Sequence, residues 1–361
     1  MAIVGIVTHP FSNNYGGILQ AWALQQSLIN KGYNVVFLRK KRNNKVLLKR
    51  KFIKAFYPIF YHFKSLRPRI IGYISEQCFS HFCHKYLDKV VYVEDMLNCI
   101  EKRPDILITG SDQVWRKWGQ GWDIMFYFLN FAADWNVKRY AYAASFGIDE
   151  WEFDKNETDF IKSLLKNYCA ISVREQSGVS LCKDYLGLDA QWVLDPTLLL
   201  SKNDYVQLQE GYVEESHQLV SYILDPNSIK EEIIYSLGDI WNCKSFAINH
   251  YRKGSSHSIM SDRPPISYWL AGISNAEFLV TDSFHGVAFA INFNTPFFVI
   301  SNQLRGQTRI SSILKLFNLE DRLVNSVQEA LHTSTQTIDW SNVNNILSKE
   351  RLKAFQFLSN L

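Results

Sequence analysis

The opening stretch of this chain, up to Leu38, already restricts the class of fold. Ala2–Thr8 is a short apolar run of strand type, followed by the polar turn His9-Pro-Phe-Ser-Asn-Asn-Tyr-Gly-Gly17. From Ile18 to Asn30 apolar residues recur at helical spacing (Ile18, Trp22, Leu24, Leu28, Ile29). Gly32 then supplies a stop and Tyr33–Leu38 is strand again. Strand, turn, helix, strand is a βαβ unit, which requires parallel strands and a right-handed crossover.

The pattern continues and then restarts. Asp105–Thr109, Arg139–Ala144, Ala170–Val173 and Gln191–Leu194 are brief apolar runs, each closed by polar or glycine residues. From about Gln218 a second array begins, with strands expected at Leu219–Leu224, Lys244–Asn249, Glu277–Thr281 and Phe297–Ile300. Helices are expected at Ile266–Asn275 and His285–Phe293. A chain of 361 residues is comfortable for two such units. The expectation is an α/β protein with two Rossmann-like domains facing across a cleft. They would occupy residues 1–200 and 201–335, with Asp195–Gln209 crossing between them. A last helix within residues 336–361 would pack back over both.

The composition, 47% hydrophobic and 20% charged, is that of a globular chain. Met1–Thr8 reads as a strand and lacks the basic start and cleavage site of a secretory signal. No apolar run reaches the length that spans a bilayer. The expected location is cytoplasmic, and the six cysteines read as reduced thiols. Cys78, His81, Cys83 and His84 resemble a metal cluster. Packed into one short helical stretch, they point apart and read as a helix face, so no metal is expected. The net charge of +4 conceals a local excess: twelve Lys and Arg and no acid lie between Arg39 and Arg69. Leu48, Phe52, Phe56, Ile59 and Phe63 would share one face of a helix there. Residues 39–69 therefore read either as a peripheral contact with the inner face of an anionic membrane or as a solvated basic helix. No nucleic-acid motif accompanies the charge, and nucleic acid is not an expected partner.

In open parallel sheets, ligands bind beyond the carboxyl ends of the strands. Five polar motifs fall there: His9 to Gly17, Gly110-Ser-Asp-Gln-Val-Trp115, Ser145-Phe-Gly147, Arg174-Glu175 and Asp282-Ser-Phe-His-Gly286. Their convergence is better evidence for a site than any one of them. The turn at Asn14, Tyr15, Gly16 and Gly17 opens a helix whose free N–H groups suit an anion or a sugar hydroxyl, or it is simply a tight turn. It has neither the dinucleotide fingerprint nor the lysine of a phosphate loop. His285, between a strand and a helix, is the strongest catalytic candidate, against a satisfied buried histidine. Asp282 would orient its ring or cap the helix. Arg174 would grip a carboxylate or phosphate, or pair with Glu175 or Asp195. Arg305 and Arg309 lie in a polar stretch after a strand, in reach of the same cleft.

Taken together the motifs resemble the polysaccharide pyruvyltransferase family. The matching pieces are Asn14-Tyr-Gly-Gly-Ile-Leu-Gln-Ala-Trp-Ala-Leu-Gln25, Gly110–Trp115, Ala143–Gly147, Ser172–Glu175, Val193-Leu-Asp-Pro-Thr197 and Thr281–Gly286, in family order over most of the chain. The resemblance implies a glycosyltransferase-B-like fold with phosphoenolpyruvate as co-substrate and no cofactor. The implied acceptor is a cell-surface or capsular glycan or its lipid-linked precursor, and the product a cyclic ketal. It implies His285 as the catalytic histidine, assisted by Asp282, and Arg174 as a donor-binding arginine. Ser283 and Gly286 flank the histidine on the donor side. Some members carry an arginine where this chain has Ser283, so a second cation is expected from Arg309, with Arg305 behind it. Asn14 and Asp112, beside Gly16 and Gly17, would orient the acceptor, with Trp115 or Tyr15 stacking on the sugar.

Two rival readings accompany this one. A transferase of the same architecture could use a nucleotide sugar, but Glu277 and Asp282 are the only obvious local acids to grip a ribose. A non-catalytic membrane-surface partner in glycan assembly would rely on the basic segment.

Overall fold

The structure, a computed structural model, describes residues 1–11, 14–41, 79–97, 99, 103–117, 124–209, 217–249, 264–302 and 307–361. Two sheets organise the chain, and every strand pair in them is parallel. The first holds β1 (Ile3–Val7), β2 (Asn34–Arg39), β3 (Val90–Tyr92), β4 (Ile106–Thr109), β5 (Lys138–Ala144), β6 (Ala170–Val173) and β7 (Gln191–Trp192). Their spatial order is β3-β2-β1-β4-β5-β6-β7. The second holds β8 (His217–Tyr222), β9 (Phe246–Ala247), β10 (Ala276–Thr281), β11 (Phe297–Ile300) and β12 (Leu323–Val324), in the order β12-β11-β10-β8-β9. These are two Rossmann-like domains. The central strands are apolar along their length because both faces of a parallel sheet are covered; all four residues of β4 and of β11 are buried. The edge strands β3 and β12 are too short, at three and two residues, to leave a periodic signal in the sequence.

Strand order reverses once in each sheet, between β1 and β4 and between β8 and β10. A crevice opens at such switch points because the connections leave in opposite directions. The loops after β1 and β4 therefore face the loops after β8 and β10 across the cleft.

Helix α1 (Tyr15–Ile29) is the wedge between the domains. Asn14 caps it, its side chain accepting from the Gly17 N–H, so the helix starts three residues before the apolar periodicity begins. Ala21, Leu24 and Leu28 pack with β1 and β2. Ile18, Leu19 and Trp22 join the second domain's core with Val220, Trp269 and Phe289. Helix α2 (Lys155–Leu165) covers the first sheet beside Phe128 and Phe153. Helices α3 (Gln176–Leu181) and α4 (Ser228–Ile240) follow β6 and β8, and α5 (Ile266–Ser274) precedes β10. All ten residues of α6 (Phe284–Phe293) are buried. Helices α7 (Gln307–Phe317) and α8 (Val327–Ser334) complete the second domain.

The last helix, α9 (Trp340–Ser359), touches both domains. Val343 and Leu347 belong to the second domain's core, while Ala354, Phe357 and Leu358 pack with Val4, Phe37 and Tyr142 of the first. Residues 42–69 of the basic segment lie outside the described residues. Arg39, at the end of β2, donates to the Thr8 carbonyl and sits 4.3 Å over the Phe11 ring.

Arg351 of α9 fastens the crossing segment. Its guanidinium donates to the carbonyls of Leu198 (2.6 Å) and Leu200 (2.7 Å) and to Asn292 Oδ1 (3.1 Å). Arg351→Ala is expected to destabilise the protein by about 2 kcal/mol, the scale of charge-assisted hydrogen bonds lost at partly buried acceptors. Arg351→Lys should recover only part of this, since an ammonium lacks the planar fork. Denaturation midpoints of the three proteins measure it; a midpoint for Arg351→Ala equal to wild type would show that this contact does not hold the seam.

Candidate active site

Where the two switch points face each other lies a cavity of about 250 Å³. The first domain contributes Asn14, Tyr15, Asp112 and Gln113 to its wall. The second contributes residues after β8 and β10, together with Asn249 and the Arg309 and Ile310 side of α7.

His285 reaches the cavity from the first turn of α6. Ser283 caps that helix, its hydroxyl accepting from the Gly286 N–H at 3.4 Å. A side chain at Gly286 would collide with Thr281, a Cβ there lying 2.3 Å from Oγ1; glycine lets the helix start hard against β10. The imidazole lies directly on Gly16 of α1, where a Cβ would fall 2.0 Å from Cγ and Nδ1 of the ring. The first turns of α1 and α6 therefore meet across the domain boundary, and both present the positive end of a helix. Nε2 of His285 is buried with no hydrogen-bond partner among the described residues, 3.9 Å from Asp195 Oδ2. Burial holds the imidazole below its ordinary value; Asp195 and Asp112 pull it up, Arg174 and Arg309 push it down.

Two carboxylates and two guanidiniums surround this ring. Arg174 donates from Nη1 to Asp195 Oδ2 at 2.7 Å and lies 3.5 Å from Asp112 through Nη2. Its guanidinium sits 4.4 Å over the Phe284 ring. Asp195 also accepts from Ser111 Oγ (2.9 Å) and, on its other oxygen, from the N–H (2.9 Å) and hydroxyl (2.7 Å) of Thr197. Burial, the largest single influence, would raise both carboxyls, but Arg174 together with the neighbouring histidines and the other positive and hydrogen-bonding groups outweighs it, and both are held below the usual range. Asp112 has a left-handed backbone (φ 78°), rare for a residue with a side chain. That turn lets its carboxylate accept from the Gln113 N–H (2.9 Å) and from Asn14 Nδ2 (3.2 Å). A side chain at Gly17 would strike Asn14, with a Cβ at 2.6 Å from Nδ2, so glycine there keeps the Asn14–Asp112 pair in place.

Several expectations need correction. Arg174 does not line the cavity: it is 3% exposed, one layer behind the wall and committed to Asp195 and Asp112. Among the described residues the arginine in the wall is Arg309, whose pKa burial lowers to about 10, leaving it charged at neutral pH. Asp282 neither orients His285 nor caps α6. Its carboxylate accepts from the Leu224 and Asp225 N–H groups, from Asn302 and from Lys230 Nζ (2.7 Å). Asp195 stands beside the histidine instead. Trp115 does not face a sugar: it is fully buried, stacked on Phe128 at 5.3 Å, with its indole N–H on the Tyr127 carbonyl. Tyr15 does line the cavity, but its ring stacks on Trp269 and its hydroxyl donates to the Pro264 carbonyl. Arg305 lies outside the described residues. Gln113, Tyr222 and Asn249 escaped the sequence reading. Gln113 lay inside a quoted motif, whereas Tyr222 and Asn249 sit at the ends of apolar runs with no local signature.

A family model described as polysaccharide pyruvyl transferase matches residues 14–303, a span that holds Asn14, Asp112, Arg174, Asp195 and His285. No curated protein matches the sequence. Among solved structures, UDP-GlcNAc 2-epimerase from Methanocaldococcus jannaschii is similar with a TM-score of 0.57 at 11% identity, covering 100% of each chain. S. aureus MnaA in its UDP co-structure gives 0.53 at 11% identity, over 96% of this chain and 91% of that one. Arabidopsis thaliana UGT89C1 complexed with UDP gives 0.51 at 11% identity, over 98% and 94%. At such identities the likeness is one of fold, the glycosyltransferase-B-like pairing of two Rossmann-like domains.

Burial also lowers the pKa of His9, so two histidines lie below the ordinary value of 6.5. The unfolded chain takes up these protons at about pH 6.5, while the folded chain resists them. Their contribution to stability is complete above that value and is lost as pH falls through the depressed folded values. Glu175, raised by burial, acts in the opposite sense, and Asp112 and Asp195 act only at lower pH. The thermal midpoint should fall between about pH 7 and about pH 5, and less steeply in His285→Gln. Equal slopes for the two proteins would mean that the imidazole takes up its proton freely in the fold.

Proposed function

The chain belongs to the polysaccharide pyruvyl transferase family, and on that premise we propose that it moves pyruvate from phosphoenolpyruvate onto two hydroxyls of one sugar as a cyclic ketal, in the synthesis of a surface or capsular glycan. The observation that carries this reading is the meeting of His285 and Arg309 in the wall of one interdomain cavity, with Arg174 and Asp195 immediately behind.

Phosphoenolpyruvate brings a carboxylate, a phosphate and an enol double bond. Arg309 and the opposed first turns of α1 and α6 offer positive potential to its anionic groups. Ketal formation needs a proton on the terminal carbon, attack of one sugar hydroxyl on the central carbon, departure of phosphate, and closure by a second hydroxyl. Of the two hydroxyl protons, one ends on the new methyl group and the other on phosphate. His285 is suited to move them. Neutral in the empty site, its imidazole starts as a base. Once protonated by an acceptor hydroxyl, it is the acid that hands that proton on to the terminal carbon or to phosphate. Asp195 steadies the imidazolium that forms. Arg174 holds Asp195 and Asp112 ionised and fixed in direction, which makes it a positioning residue. Asp112 and Asn14, already hydrogen-bonded to each other, present a carboxylate and an amide to the acceptor hydroxyls. Asp282, tied to Lys230, shapes the wall under the donor.

His285→Ala should abolish phosphoenolpyruvate-dependent phosphate release in the presence of a saccharide acceptor, with an unchanged circular dichroism spectrum; near-normal turnover would discard the assignment. The pH profile of kcat/KM gives a second check. A base with a depressed pKa places the acid limb below pH 6.5, the ordinary histidine value. An acid limb above that value, or none, would remove His285 as the initial base. Mass spectrometry of the acceptor should show added pyruvate less water.

A further inference from the structure

A second opening runs along the same domain seam, between α3 of the first domain and α7 of the second, with a volume of about 540 Å³. Its walls continue the elements that build the active site. Helix α3 begins directly after Arg174 and Glu175, and α7 turns Arg309 and Ile310 to the cavity. The adjoining stripe of α7 faces this groove, with Thr308, Ser311, Ser312 and Lys315 at offsets of three, four and seven residues. Across from them stand Gln176, Ser177 and Ser180, and the Gln176 N–H donates to Ser312 Oγ at 3.3 Å across the boundary.

The chemistry of the lining is unusual for a domain seam. Among the described residues it consists of five hydroxyls, two amides and one ammonium, with no aliphatic or aromatic side chain and no carboxylate. An apolar chain would find only the methylenes and methyls of these polar side chains to bury, and a cation no carboxylate among the described residues. A phosphate would find a single lysine. Hydroxyls and amides both donate and accept, which is the pairing that the hydroxyls of a neutral sugar require. Two of the lining hydroxyls, Ser177 Oγ and Thr308 Oγ1, are buried with no hydrogen-bond partner among the described residues. Unused capacity of that kind is rare in folded proteins and points to a ligand or ordered water.

We infer that this groove binds the part of the acceptor that does not react, so that the acceptor is an uncharged oligosaccharide held on both sides of α7. The groove is more than twice the volume of the cavity beside His285, room for sugars beyond the one that is modified. The inference deepens the proposed function and rests on it for the identity of the bound molecule as an acceptor.

Ser180 and Ser311 are exposed helix positions on opposite walls, away from the reacting groups. Ser180→Trp with Ser311→Trp would fill the groove. The probe is an array of defined neutral saccharides from single sugars to long oligosaccharides, read without phosphoenolpyruvate. Wild type should retain long chains in preference to short ones. The double variant should lose that preference, retaining long chains about tenfold less and single sugars equally. Either single variant repeats the test if the double variant fails to fold. A wild type indifferent to chain length, or a filled groove that keeps the preference, would overturn the inference. A length preference in wild type, with no phosphate release from phosphoenolpyruvate on any retained saccharide, would leave the groove standing and remove the pyruvyl-transfer reading.

Discussion

One oxygen of Asp195 joins the two halves of this molecule. It accepts from Ser111 and Arg174 of the first domain and faces the imidazole of His285 from the second. Asp195 sits where the chain leaves the first sheet for the second, in a segment that Arg351 and Asn292 also bind. A fully buried carboxylate is tolerable only with such partners; leaving its arginine unpaired would cost about 3–5 kcal/mol. The same requirement fixes the geometry. Arg174 has to lie behind the cavity because Asp195 and Asp112 need it there, and among the described residues the arginine in the wall is Arg309.

The helix starts obey a related constraint. Parallel strands deliver their connections to one end of each sheet, so two sheets facing each other bring helix N-termini together. Their like potentials repel until something negative lies between them or near them. Here Asp112 and Asp195 serve the empty protein, and the glycines allow the approach. Gly16 admits the imidazole of His285, and Gly286 admits the first turn of α6 against β10. A side chain at Gly16 would hold the domains apart, leaving a gap rather than a site, and one at Gly286 would lift α6 off its own sheet.

Much of this was legible in the sequence because it is local. The strand-turn-helix pattern places polar motifs at strand ends, and Asn14, Asp112 and His285 do gather in one cavity. What failed was the assignment of partners. Asp282 is three residues from His285 in sequence, but the tight turn after β10 sends its carboxylate to the β8 loop and Lys230. Asp195, ninety residues away in sequence, is the neighbour in space. Trp115 follows the same logic: its motif reads as polar, yet the turn at Asp112 drives the indole inward onto Phe128. Proximity along the chain is a poor guide at a switch point, because successive residues there leave in different directions. Ser283 spends its hydroxyl on the helix cap. The cation that lines the cavity comes from α7, beyond the span that the family model matches.

The charges around His285 also explain how the site can hold a neutral imidazole and still use it. Asp112 and Asp195 are ionised, Arg174 and Arg309 are protonated, and the four sum to zero. With no net charge at hand, burial decides, and the ring stays neutral. An anionic donor entering beside Arg309 would break that balance and favour the protonated ring. Donor binding would then make the ring a stronger base toward an acceptor hydroxyl, and the ring's protonation would in turn hold the donor more tightly, as thermodynamic coupling requires. A fixed carboxylate at hydrogen-bond distance would favour the charged ring before the donor came. The gap of 3.9 Å between Nε2 and Asp195 is therefore suited to a group that must wait for its substrate before taking a proton.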